Sequence, residues 1–194
     1  MERPISKKKK IIIITLSILL IIAIAGGTIF FTGAWKPMYR EIKTQSFRIA
    51  NRNIQTGEVV FTGDSITELC DLGQFYPNIT AYNRGISADT TEGLLKRMDE
   101  SIFDLAPKVI VLLIGINDLA FFGKSEDEVL VNYRKILSQI ADRLPTAAVI
   151  IQSVYPVNSQ MYKDEVFFHP EKIVRLNTGL SALAEEFSYT YANI

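Results

Sequence analysis

The segment "KVIVLLIGIND", residues 108–118, constrains this chain more than any other stretch. Five apolar residues in a row, Val109 to Leu113, lead into Ile114-Gly115 and then an Asn-Asp pair. A strand with one wet face alternates apolar and polar residues. An unbroken apolar run reads instead as a strand covered on both faces, the habit of parallel sheets. Four more stretches read as strands: "EVVFTGDS" (58–65), "ITAYNRG" (79–85), "AAVIIQSVYP" (147–156, closed by Pro156) and "YTYANI" (189–194).

Helical periodicity lies between them. Over 92–103, Leu94, Leu95, Met98 and Ile102 share one face. Over 126–144 the set is Val129, Tyr133, Ile136, Leu137, Ile140 and Leu144, after a Ser125-x-x-Glu128 capping box. Over 171–187 it is Ile173, Leu176, Leu180, Leu183 and Phe187, with Pro170 suited to the first helical position. Alternating strands and helices predict an α/β domain with a five-stranded parallel sheet over residues 57–194.

The amino end has a different character. Lys7 to Lys10 precede 25 uncharged residues, Ile11 to Trp35, and a membrane span needs about 20. Phe30, Phe31 and Trp35 fall where an aromatic belt would lie. The sequence thus predicts a basic cytoplasmic tail over 1–10, a transmembrane anchor over 11–35, a juxtamembrane helix over 36–56, and an extracytoplasmic body. Ala23-Ile24-Ala25 keeps a cleaved signal peptide as the alternative. The neutral total hides an asymmetry. Residues 1–36 hold six basic residues against Glu2, a net +5, and the remaining 15 basic and 20 acidic residues give −5. A mildly acidic body argues against nucleic acid, which needs a basic face. Cys70 stands alone, so no internal disulfide forms, and no Cys/His spacing suggests a metal.

In a parallel sheet with right-handed crossovers every strand ends at one edge, and ligands bind there. Three turns meet at that edge: Gly63-Asp64-Ser65, Asn83-Arg84-Gly85 and Gly115-Ile116-Asn117-Asp118. Ser65 offers a hydroxyl where a helix begins, Gly85 a closely approachable N–H, and Asn117 an amide. A nucleophile with convergent donors is the equipment of acyl transfer. The phosphate-loop and dinucleotide fingerprints are absent. "GISAD" (85–89) only nearly matches a nucleophile elbow, so Ser87 reads as a loop hydroxyl.

GDSIT (63–67), NRGIS (83–87) and GIND (115–118) together resemble the first three blocks of the SGNH/GDSL hydrolases. "SVYPVN" (153–158) and "RLNTGLSALAEE" (175–186) extend the resemblance over about 57–194. The pattern is similar to bacterial lysophospholipase-like and platelet-activating-factor-acetylhydrolase-like esterases. The resemblance implies a flavodoxin-like three-layer sandwich with no metal or organic cofactor. It implies Ser65 as nucleophile, with the Ser65 N–H, the Gly85 N–H and the Asn117 amide as oxyanion hole, supported by Asp64 and Asp118.

The resemblance also implies a histidine base in a D-x-x-H block beyond the fifth strand. No D-x-x-H occurs here, and the one histidine, His169, reads as a loop residue before a helix. The expectation is an esterase chain that stops short of that block, as a fragment or a natural short form. Activity is then impaired, and some apolar sheet surface is left uncovered. The substrate expected is a lipid, short-chain or O-acetyl glycan ester. The alternative is a non-catalytic binding module for acylated or acetylated envelope ligands.

Overall fold

The computed structural model describes residues 7–156 and 170–194. The chain divides after Tyr39 into two compact units. Helix α1, Lys7–Thr32, makes up most of the first. Its apolar side chains Ile14, Leu16, Ile18 to Ile22 and Ile24 are exposed. Among the described residues no helix is long and apolar enough to cross a membrane. Most of the stretch expected to span, 11–35, is helical as part of α1, and a crossing is not shown. Helix α2, Trp35–Ala50, starts after a turn at Gly33, where φ is 69°. It ends earlier than expected, and a 3₁₀ turn, Asn51–Asn53, replaces its last residues.

The second unit, from Arg40 onward, holds the sheet. Its strands are β1 (Val59–Gly63), β2 (Ala81–Gly85), β3 (Val109–Leu113), β4 (Ala148–Gln152) and β5 (Thr190–Ala192). All neighbours pair in parallel, in the order β2-β1-β3-β4-β5. This is the flavodoxin-like order, whose switch point lies between β1 and β3. All five strands fall inside the stretches expected from sequence.

Helices α3 (Ser65–Glu68) and α4 (Leu72–Phe75) link β1 to β2. Helices α5 (Thr91–Leu95) and α6 (Met98–Ser101) link β2 to β3, where one helix over 92–103 was expected. The break comes at Arg97, which leaves helical geometry at φ −129°, ψ 19° and turns its side chain into the interior. Helices α7 (Ile116–Phe121) and α8 (Glu126–Arg143) link β3 to β4, and α9 (Pro170–Glu186) precedes β5. Both halves of the Ser125–Glu128 capping box form at the start of α8.

The sheet's two faces are unequally covered among the described residues. Ile110, Leu112, Val149 and Ile151 pack against Tyr133, Ile136 and Ile140 of α8 and Leu176, Leu180 and Leu183 of α9. Each side chain fully buried this way contributes about 1.5–3 kcal/mol. On the other face Phe61 and Val111 meet Leu72, with Cys70 and Ile150 only partly buried. His169 and residues 157–158 of "SVYPVN" lie outside the described residues.

Candidate active site

The site begins with how β1 ends. Asp64 caps α3 by accepting the Ile66 N–H at 3.0 Å, which satisfies one donor of the helix's first turn. Ser65 is the first helical residue and is half-buried. Among the described residues its hydroxyl has no hydrogen-bond partner. The helix thus presents Ser65 at the carboxyl edge.

Register brings the second and third turns beside it. Gly63 pairs with Gly85 on β2 and Leu113 on β3. The Ile86 N–H donates to the Gly63 carbonyl at 3.1 Å. The Asn117 amide donates to the Asp89 carbonyl at 2.8 Å, tying the third turn to the second. A primary amide has two N–H groups, so one remains for a ligand. Asn117 is 5% exposed, so the remaining donor has little competition from bulk water.

Gly85 needs correction. Its N–H donates to Asn83 Oδ1 at 2.9 Å, so it is already engaged. A Cβ there would lie 2.2 Å from the Glu68 backbone nitrogen. Gly85 is glycine because α3 packs directly on it. The open N–H of this turn belongs to Ala88, which is half-buried and holds φ at 60°. Among the described residues that N–H has no partner. Ser87, in turn, donates its N–H to Glu68 Oε2 at 2.5 Å.

Asp64 and Asp118 support the site from below, both fully buried. Asp118 accepts from the Thr91 N–H at 3.0 Å and the Thr91 hydroxyl at 2.6 Å. Asn132 of α8 donates to that same hydroxyl at 2.9 Å. Burial pushes the Asp118 carboxyl up, against the pull of the Thr91 bonds. Among the described residues Asp64 Oδ2 has no hydrogen-bond partner. Burial first, then the nearby Asp89 and Asp118 charges, push Asp64 up to about 7.

Sequence reasoning missed the charged frame beneath these turns. Arg97, 1% exposed, donates to Asp89 Oδ2 at 2.7 Å and to the carbonyls of Gly63 at 2.9 Å and Arg84 at 2.8 Å. It also donates to the Ser101 hydroxyl at 2.7 Å. One guanidinium thus ties together the carboxyl ends of β1 and β2. Its planar fork of donors suits such a position. The available signal was an arginine on an otherwise apolar helix face. Among the described residues no cluster of three or more His, Cys, Asp or Glu could hold a metal ion.

A free hydroxyl, a free backbone N–H and a spare amide N–H at one sheet edge can attack a carbonyl and hold the resulting oxyanion. The comparisons agree with that chemistry. The profile of the GDSL-like lipase/acylhydrolase family matches residues 61–194. The chain belongs to this family. Its members are ester-bond hydrolases, so the domain is that of an ester-bond hydrolase.

Solved structures share the architecture. A Streptococcus pneumonia protein, provisionally described as a platelet activating factor, superposes with a TM-score of 0.78 at 27% identity. That match covers 87% of this chain and 80% of the other. A GDSL-like lipase from Bacteroides thetaiotaomicron gives 0.68 at 26% identity, covering 77% of each chain. An acetyl-xylooligosaccharide esterase from Geobacillus Stearmophilus gives 0.54 at 20% identity, covering 72% and 77%, and at that distance shows shared fold alone. No match was found among curated proteins.

Proposed function

We propose that this GDSL-family domain is a serine esterase with Ser65 as nucleophile. The observation that carries the proposal is the unengaged Ser65 hydroxyl at the start of α3, on the edge shared with the open Ala88 N–H and the spare Asn117 N–H. Ser65 Oγ attacks the ester carbonyl, and its proton passes to a base. The Ser65 and Ala88 N–H groups and the Asn117 amide hold the oxyanion. The alcohol leaves with a proton, and water then releases the acid from the acyl-enzyme.

The only imidazole in the sequence is His169. Without a base beside Ser65, an oxyanion hole and binding alone would sustain roughly 10³–10⁴-fold over water. The substrate class we propose is a lipid, short-chain or O-acetyl glycan ester. The likeness at 27% identity to a platelet-activating-factor-related protein favours a lipid-type ester. We also propose that residues 11–35 anchor the chain, with the body outside the cytoplasmic membrane. Support comes from the Lys7–Lys10 cluster and the 25 uncharged residues after it.

The decisive experiment is hydrolysis of a short-chain aryl ester by the full chain and by Ser65→Ala. The expected result is turnover that drops to background in the variant. Turnover unchanged by Ser65→Ala would refute the assignment. Protease added to intact cells should digest the body, and a body left intact would refute the extracytoplasmic placement. The second reading is a binding module for acylated or acetylated envelope ligands. It prevails if the folded chain binds an acetylated glycan and hydrolyses nothing.

A further inference from the structure

Helix α2 lies outside the family match, which starts at residue 61. Its carboxyl half nevertheless reaches the site edge. Arg40 Nε donates to Asp89 Oδ1 at 2.6 Å. Lys43, three residues on, pairs with Glu68 Oε1 at 2.8 Å. These two acids hold opposite sides of the Ala88 peptide. Glu68 takes the Ser87 N–H on its other oxygen. Asp89 contributes the carbonyl that orients the Asn117 amide. Residues spaced by three project from the same face of a helix, so one face of α2 grips both ends of the 87–89 loop.

The Arg40 contact has a route built for it. A Cβ at Gly93 would lie 1.8 Å from Asp89 Oδ1 and 2.7 Å from Arg40 Nε. Glycine inside α5 costs about 1 kcal/mol of helix propensity relative to alanine, and here its bare backbone leaves room for the pair. The Asp89 side chain is fully buried and that of Arg40 is 20% exposed. This is an ion pair largely shielded from solvent, unlike a surface pair. Arg97 holds the second Asp89 oxygen, so each carboxylate oxygen has its own guanidinium.

We propose that Arg40 and Lys43 are positioning residues for ester hydrolysis. By holding Asp89 and Glu68 they keep the Ala88 N–H and the Asn117 amide aimed at the oxyanion. Neither touches substrate. The inference rests on the esterase reading above for its catalytic consequence, and on α2 alone for its structural one.

The test uses the full chain and the variants Arg40→Gln, Arg40→Lys and Gly93→Ala. Gly93→Ala keeps both charges and blocks their meeting. Two readouts separate the claims. The first is amide hydrogen exchange, which needs no activity. Arg40→Gln and Gly93→Ala should speed exchange across residues 86–91 about tenfold, and leave 109–114 unchanged. Arg40→Lys should recover part of the protection. Unchanged exchange over 86–91, or equal speeding across β3, overturns the proposal.

The second readout is Ser65-dependent aryl ester hydrolysis. Misaimed donors should lower kcat about ten- to a hundredfold with KM within twofold, and Arg40→Lys should regain part of it. A loss confined to KM, or one that only tracks the unfolded fraction, overturns the positioning role. Absence of Ser65-dependent turnover in the unmutated chain sinks the esterase reading instead, and is distinguished by the exchange result.

Discussion

The polar frame beneath the carboxyl edge of the sheet and the face under α8 and α9 are equally buried, yet they are held by different physics. Under the helices Leu112, Ile136 and Leu180 are wholly buried among other apolar side chains. Their attraction has no preferred direction, and neighbours can shift to fill a gap. At the edge Arg97, Asp89, Asp118 and Asp64 are as deeply buried, but each needs a partner at a set distance and angle. Apolar burial supplies the stability, and the polar frame fixes where the turns lie. The proposed oxyanion site, which must aim three N–H groups at one oxygen, needs the second kind of order.

The sharpest way to break the contrast is Arg97→Met. It leaves Asp89 Oδ2 and the Gly63 and Arg84 carbonyls without their shared donor. Removing one partner from a buried pair costs about 3–5 kcal/mol, so urea unfolding should show a midpoint lowered accordingly. Leu112→Ala, on the apolar side, should cost about 2–5 kcal/mol by the same measurement, depending on how far neighbours relax. A smaller loss for Arg97→Met than for Leu112→Ala would reverse the ranking of the two regions.

The next effect concerns pH. Asp64 is moved from an ordinary 3.8 up to about 7, so the folded state holds its proton more tightly than the unfolded chain does. Its contribution favours folding below about pH 4 and is lost as pH rises to about 7, a change on the order of a few kcal/mol. Melting temperature should therefore fall between about pH 4 and pH 7. Asp64→Asn keeps an oxygen for the Ile66 N–H and should flatten that fall. Asp118, also pushed up by burial, should leave a residual slope in the same direction. The smallest effect is Ser125→Ala, which removes the α8 cap at the periphery of both regions. It should cost about 1 kcal/mol in urea unfolding and leave the pH slope untouched.

Much of this fold was legible because apolar runs and helical periods are local signals. Val109–Leu113, the capping box at Ser125 and Pro170 at the start of α9 all lie where the pattern puts them. In the proposed site the first and third turns act through side chains, Ser65 and Asn117, and residue type alone pointed to them. The second turn carries it on the backbone. Nothing in "NRGISAD" tells a reader that Asn83 folds back to take the Gly85 N–H. Nor does it tell that an alanine adopts φ 60°. Arg40, Arg97 and Asp89 were illegible for another reason. They are 49 and 8 residues apart along the chain, and their meaning comes only from meeting. His169, read from the sequence as a loop residue before a helix, lies outside the described residues.

Ala88 carries one more consequence. An L-residue held in the left-handed region loses roughly 1–2 kcal/mol that glycine would not. Yet glycine at 88 would make the free loop wander through many more shapes, and ordering it would cost entropy at each encounter with substrate. The alanine spends that energy once, at folding. Its methyl group restricts the conformations from which the loop must select, which preorganises the N–H before any ester arrives.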